Sequence, residues 1–292
     1  MKTKKILMTG ATGFLGSNLL KSFIINGYQI AILKRKTSNL INIKSHLTEI
    51  ELYDIENIDI DTVLKEIKPD IIVHCATDYG RKNIEPSSII EANLILPLKL
   101  IELCERNNVK CFINTDTFLD KRINHYSLSK KQFKEWLATY SKNLICINIV
   151  LEHFYGAFDD KTKFVSYIIE KFLSNSPEID LTLGEQKRDF IYIDDIVSAF
   201  NCVINNIDIM SNGVFDYEIG TNKQIRIRDF VEMIKGIIGN TTTRVNYGAI
   251  PYRENEIMES IVDTRKIIAL GWTPRTLLHD GLKKTIELEK NI

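Results

Sequence analysis

A chain of 292 residues with 44% hydrophobic and 26% charged side chains has room for about two structural units around substantial cores. Its 38 basic residues are matched by 38 acidic ones, so no chain-wide charge draws it to nucleic acid or to an anionic membrane. No apolar run approaches the roughly 20 residues that cross a bilayer.

Ile6-Leu7-Met8 is too short for the hydrophobic region of a leader. The five cysteines (Cys75, Cys104, Cys111, Cys146, Cys202) are scattered, with no Cys-x-x-Cys pair, which fits a reducing compartment. A cytoplasmic protein is expected. The five histidines (His46, His74, His125, His153, His279) show no ligand spacing, so no metal is expected.

In chain order, Ile6 to Met8 reads as a strand, Phe14 to Ile25 as a helix stopped by Asn26-Gly27, and Gln29 to Leu33 as a second strand. Ile50 to Leu52 is a candidate third strand. Ile71 to Cys75 is a strand announced by Pro69-Asp70, and a helix follows over about Ser87 to Asn107. Cys111 to Ile113, a helix over Tyr126 to Tyr140 and a strand over Leu144 to Val150 continue the alternation. Short apolar strands alternating with amphipathic helices specify an α/β fold with a doubly wound parallel sheet.

Beyond residue 150 the pattern loosens, with loop signals at Ser174-Asn175-Ser176-Pro177 and Ser211-Asn212-Gly213. The stretch 257–292 reads as two helices around Gly271-Trp272-Thr273-Pro274. The expected organisation is a nucleotide-binding domain over 1–150, with a returning segment near 185–215, and a smaller mixed α/β lobe over 151–292.

Thr9-Gly10-Ala11-Thr12-Gly13-Phe14-Leu15-Gly16 lies between the first strand and the first helix. Gly10 suits a tight turn, Gly13 the close approach of a pyrophosphate, and Gly16 close helix–strand packing. Thr12, Phe14 and Leu15 flank a helix N-terminus whose free N–H groups and partial positive charge attract an anion. Two residues, rather than one, separate the first two glycines. That spacing resembles the short-chain dehydrogenase/reductase superfamily and implies a Rossmann-type fold.

The resemblance further implies that Asp54, with Ile55, reaches the adenine, and that Cys75, Ala76, Thr77 and Asn93 line the cofactor. The second strand ends in Lys34-Arg35-Lys36, where an acid normally binds the ribose of NAD. Three cations there suit a 2′-phosphate, so NADP(H) is the expected cofactor.

Tyr126 and Lys130 stand four residues apart at the start of a helix, hence on one face. A nearby ammonium favours the phenolate of a tyrosine whose ordinary pKa near 10 is too high for proton exchange at neutral pH. Asn114-Thr115-Asp116-Thr117 supplies a hydroxyl partner; Thr115 aligns best with the superfamily's catalytic position, and Thr117 competes with it. Thr115, Tyr126 and Lys130 are thus the expected catalytic set.

The second half resembles the extended branch of the superfamily, the nucleotide-sugar epimerases and dehydratases. Leu151-Glu152-His153-Phe154-Tyr155-Gly156 matches its stretch near nicotinamide and sugar. Gln186-Lys187-Arg188-Asp189 matches the string whose arginine faces the sugar-nucleotide phosphates, and Arg253 resembles a later arginine on the same group. With Tyr79, Arg81, Thr115, Asp116, Thr117, Lys163 and Phe164 these form the expected substrate set, His153 also touching cofactor.

Within the branch the likeness is greatest to the CDP-paratose and CDP-abequose synthases. It implies NADPH-dependent reduction of the C4 ketone of a nucleotide-linked deoxy sugar, CDP-linked by preference and dTDP- or GDP-linked otherwise, by a homodimer in cell-surface polysaccharide synthesis. The dehydratases carry Glu where this chain has Thr117, which argues against dehydration. A nucleotide-sugar epimerase with bound NAD is the alternative within the branch. A catalytically silent dinucleotide-binding regulator is the alternative of another class.

Overall fold

From the N-terminus the chain runs β1 (Lys5–Thr9), α1 (Phe14–Ile25), β2 (Gln29–Lys34), β3 (Ile50–Asp54), α2 (Ile60–Ile67), β4 (Ile71–His74), α3 (Pro86–Ile90), α4 (Leu96–Arg106), β5 (Cys111–Thr117), α5 (His125–Tyr140) and β6 (Ile145–Leu151). It continues through β7 (His153–Tyr155), α6 (Phe164–Leu173), β8 (Glu178–Leu181), β9 (Lys187–Tyr192), α7 (Ile193–Asn206), β10 (Gly213–Ile219), β11 (Gln224–Arg226), α8 (Ile227–Ile238), β12 (Arg244–Tyr247), α9 (Arg265–Ala269) and α10 (Leu278–Glu289). This computed structural model describes residues 3–81 and 85–290. Two units emerge: the chain through Leu151 together with Phe200–Tyr217, and Glu152–Ala199 together with Glu218–Ile292.

The first unit is built on a seven-stranded sheet in the order β10-β6-β5-β4-β1-β2-β3. Pairings β1–β2, β1–β4, β2–β3, β4–β5 and β5–β6 are parallel. β4, β5 and β6 are buried at every position, as strands covered on both faces by helices must be. Leu7, Val63, Leu64, Ile72, Phe112, Phe133 and Leu137 form one continuous core across the sheet and its helices.

Strand order reverses between β1 and β4. Their carboxyl ends, Thr9 and His74, are therefore register neighbours at the crevice where such sheets take ligands.

Two local features aim residues at that crevice. α3 passes into α4 through a π turn, Glu91–Ile95, which ends two residues before Pro97. A proline inside a helix removes one ladder bond and crowds the preceding turn, and the wider turn accommodates it. α5 begins with a capping box in which Asn124 accepts from the Ser127 N–H and the Ser127 hydroxyl accepts from the Asn124 N–H. The box fixes where the helix starts, and so where Tyr126 lies. On α5, Phe133 and Leu137 are buried while Leu128 and Trp136 stay exposed.

The second unit holds a three-stranded sheet, β11-β9-β7, and a parallel pair, β12-β8. Phe190 stacks on Phe230 at 3.7 Å between ring centres, joining β9 to α8. Near the C-terminus two helices flank Gly271-Trp272-Thr273-Pro274, as expected for 257–292, though both are shorter than that span. Only Arg265–Ala269 and Leu278–Glu289 are helical, and the residues before Thr264 are irregular, tied by side chains such as Gln224 on the Ser260 carbonyl.

Candidate functional site

The glycine loop forms as its spacing requires. Gly10 takes φ +67°, and a Cβ there would strike the Ala76 backbone at 2.4 Å; one on Gly16 would strike the Gly10 carbonyl at 2.2 Å. A Cβ on Gly13 would meet only the Gly10 carbonyl at 3.4 Å, so this backbone is open to approach. Gly13 is also the N-cap of α1, with no side-chain cap and no acid in the first turn. The Thr12 carbonyl accepts from Asn42 at 3.0 Å, which braces the loop from outside.

At the crevice, the Thr9 hydroxyl bonds His74 Nδ1 at 2.8 Å and accepts the Ala76 N–H at 3.3 Å. The Cys75 N–H donates to the Thr9 carbonyl. Burial, and then the Lys130 ammonium beside it, hold the His74 imidazole well below its ordinary pKa and therefore neutral. The next stretch is anchored by Asn93 of the π turn, which accepts from the Asp78 N–H and donates to the Asp78 carbonyl, each at 2.8 Å, and donates to Ser129 of α5 at 3.1 Å. This anchor sets Tyr79 against Tyr126, ring centres 4.9 Å apart, with the Arg81 guanidinium 5.0 Å above the Tyr79 ring.

The Thr117 hydroxyl lies beside the Tyr126 phenol and favours its ionised form. Burial and the neighbouring Tyr79 raise its pKa; the Thr117 hydroxyl and Arg81 oppose that rise, while Asp116 adds to it. Lys130 is buried, and its Nζ has no hydrogen-bond partner. Desolvation draws its pKa down to about 8, against the pull of Asp116.

Thr115 sits elsewhere in the network, its hydroxyl donating to the His74 carbonyl at 3.0 Å. Of the two threonines, Thr117 is the one beside the phenol. Asp116 is buried and turned into a polar cluster with Lys131 and Asn148. Sequence reading did not single out Lys131, Asn114, Asn148 or Asp216. The signal for the two asparagines was an amide in the middle of a continuous apolar strand, where burial demands a partner.

A bare buried ammonium and open backbone at a helix N-terminus suit a pyrophosphate and ribose hydroxyls, so the residues present fit a dinucleotide. Asp54, the expected adenine ligand, accepts from the Glu56 N–H at 3.1 Å and Asn57 Nδ2 at 3.1 Å, while the Ile55 N–H donates to the Lys34 carbonyl. Thr77 is half-buried in the same crevice loop.

The second unit gathers its own cluster. Buried Glu152 accepts from the Ser260 hydroxyl and, at 2.8 Å, bonds His153 Nδ1. Arg188 forms an ion pair with Glu256 and donates to the Lys187 carbonyl at 2.7 Å. Gln186 is buried on the Thr182 hydroxyl at 3.1 Å. Lys163 pairs with Asp159 at 3.0 Å and lies 4.9 Å above the Phe154 ring, and Phe164 stacks on Phe230. Arg253 is exposed. Among the described residues no group of His, Cys, Asp and Glu gathers as a metal site, and no helix is long and apolar enough to cross a membrane.

Fold and site together define an enzyme of the dinucleotide-binding Rossmann class. The chain belongs to the NAD dependent epimerase/dehydratase family, which matches residues 6–220. It is 38% identical to a CDP-abequose synthase of Salmonella muenchen over 98% of each chain. Among solved structures it resembles a UDP-glucose 4-epimerase of Thermotoga maritima solved with UDP-glucose (TM-score 0.85, 24% identity, 97% and 98% covered). It also resembles a UDP-glucuronic acid 4-epimerase of Bacillus cereus solved with UDP-glucuronic acid and NAD (TM-score 0.84, 24% identity, 98% and 99% covered).

These relatives correct two expectations. Against the expected NADP(H), the dinucleotide held by the Bacillus cereus enzyme and by related solved structures of an epimerase and a dehydratase is NAD. The basic loop offers a physical reason: Arg35 and Lys36 are exposed, and Lys34 Nζ turns to the Arg35 carbonyl at 3.5 Å, so the three cations are solvated rather than gathered into a phosphate site. NADPH-dependent reduction of a C4 ketone is set aside with it, since these solved neighbours are epimerases and a dehydratase with bound NAD.

Proposed function

We propose that the chain is a nucleotide-sugar 4-epimerase that keeps its NAD bound, with Tyr126 as the proton-transferring group, Thr117 as its hydroxyl partner and Lys130 as the ribose-binding cation. The single observation that carries this reading is the bare, buried Lys130 ammonium one helical turn after Tyr126 on α5. Tyr126 takes the proton of the sugar C4 hydroxyl as that carbon is oxidised and returns it when the hydroxyl is restored. Thr117 orients the phenol. Lys130 favours the phenolate electrostatically and donates to ribose hydroxyls. When bound, NAD supplies the acceptor and then the donor of the C4 hydride.

Thr117 standing where the dehydratases carry Glu, with Asp116 engaged inside the fold, favours epimerisation over dehydration. Cytidine is the proposed nucleoside, supported by the 38% identical relative and its name. Arg188 and Arg253 are the proposed diphosphate ligands, because guanidinium binds such groups in bidentate fashion.

The test is to denature the purified protein, identify the dinucleotide released, and incubate the native protein with CDP-, UDP- and dTDP-hexoses without added cofactor. Released NAD and a C4 epimer seen by NMR are expected. Absence of bound NAD, or product formed only with stoichiometric consumption of added dinucleotide, would overturn the proposal.

A further inference from the structure

We infer that Lys131 is a positioning residue which, through Asp116, aims the Thr117 hydroxyl at Tyr126. The inference rests on the proposed role of Tyr126 but adds residues which that role does not require.

Thr117 ends β5, where the parallel ladder stops guiding the backbone. Its groups are instead fixed one by one. The Thr117 N–H donates to Asp116 Oδ1 at 2.7 Å, its carbonyl accepts from Lys131 Nζ at 2.5 Å, and its hydroxyl accepts the Leu119 N–H at 3.2 Å. Lys131 Nζ also reaches Asp116 Oδ2 at 3.2 Å. Lys131 lies on α5, the helix that carries Tyr126. One ammonium thus links the helix bearing the phenol to the strand end bearing its partner.

Behind this link lies a polar ladder in which Asp116 and Asn148 are fully engaged, while Asn114 Oδ1 at its far end is buried without a partner. Asn148 Nδ2 donates to Asp116 Oδ2 at 3.1 Å and to Asp216 Oδ1 at 2.9 Å, and its Oδ1 accepts from Asn114 at 2.7 Å. Lys134 pairs with Asp216 at 3.0 Å. Two carboxylates face two ammonium groups, so the ladder is neutral. The Asp116 side chain is fully buried, and both its oxygens are engaged inward. A carboxylate held so is a brace rather than a reagent for substrate. Networks of this kind, when satisfied, specify one arrangement of the groups they touch.

The test uses the protein with its dinucleotide bound and its tyrosines labelled with 13C at Cζ, a nucleus sensitive to hydrogen bonding of the phenol. Tyr126→Phe identifies the resonance, and Thr117→Val gives the displacement caused by losing the partner. Lys131→Met is expected to reproduce at least half that displacement, and Lys131→Arg to restore most of the native position. Lys131→Gln, which keeps a donor for the Thr117 carbonyl, serves if the methionine variant does not fold.

With substrate, Lys131→Met should lower kcat about tenfold at unchanged KM, and adding Thr117→Val should cost no more than Thr117→Val alone. A Tyr126 resonance at its native position in either the Lys131→Met (or Lys131→Gln) or the Thr117→Val protein would overturn the inference. Because the spectra need no substrate, failure of every sugar nucleotide to react would count against the proposed activity and leave this readout standing.

Discussion

The two units treat their functional charges in opposite ways. In the first, the key cation is left bare: Lys130 is buried without a partner, and its protonated form is disfavoured. In the second, each expected ligand cation with a described ion pair is already neutralised, Arg188 by Glu256 and Lys163 by Asp159, while His153 is held by Glu152. A site with a bare cation is finished only when a ligand arrives and gains that ligand's full electrostatic benefit. A site with paired cations is stable alone and must exchange partners. The contrast suits a cofactor that stays and a substrate that comes and goes.

The largest effect that would sharpen the contrast is expected at the phenol itself. Tyr126→Phe should lower kcat by about 10²- to 10⁴-fold while the NAD released on denaturation stays near one per chain. Equal loss of NAD and of turnover would mean that the tyrosine holds cofactor rather than moving a proton.

Next comes the bare charge. Lys130 has its pKa drawn from 10.5 to about 8, so the unfolded chain binds the extra proton between those values and stability should rise with pH across that window. Below pH 8 the burial cost is fully present, about 3 kcal/mol. Comparing dinucleotide-free wild type with Lys130→Met by urea unfolding at pH 7 and pH 10 cancels the other titrating groups. The variant should be the more stable at pH 7, and the gap should narrow at pH 10. A gap independent of pH would remove the bare cation from the account.

A smaller effect is expected at the paired charge. Glu256→Gln leaves the largely buried Arg188 a hydrogen-bond acceptor but no anion and should cost about 1–2 kcal/mol, read as a lower urea midpoint. Added CDP should recover more of that loss in the variant than it adds to wild type. Equal responses would show that the pair is not a site of exchange. The smallest effect belongs to the exposed basic loop, where Lys34→Asp with Arg35→Asp should change NAD affinity by less than about threefold in calorimetry.

Legibility in the sequence followed how local each signal was. The glycine loop and the Tyr126–Lys130 pair lie within single turns, and the long apolar strands of the first half announce themselves by run length. The same reading missed α2, whose eight residues start from an Asp59 cap rather than a long apolar pattern, and passed over α8 although Ile227, Phe230, Val231 and Ile234 recur at helical spacing. β7, β11 and β12 have three or four residues each, too few to show any period.

The choice between Thr115 and Thr117 was beyond sequence, because both lie on one strand and only the neighbouring His74 carbonyl engages the first. The basic loop misled for a related reason. Composition shows that three cations are adjacent along the chain, not whether they converge in space.

The order of strands also sets an order of assembly. β10, the last member of the large sheet, is encoded more than sixty residues after its neighbour β6, beyond the whole of Glu152–Ala199. While the chain emerges from the ribosome, β6, with its wholly apolar flank Ile145, Ile147, Ile149 and Leu151, waits as an unpaired edge until residue 217 is made. Such an edge templates pairing between chains. Synthesis speed through residues 152–217, and the chaperones that cover the nascent chain during it, should therefore govern how much of this protein is recovered in active form.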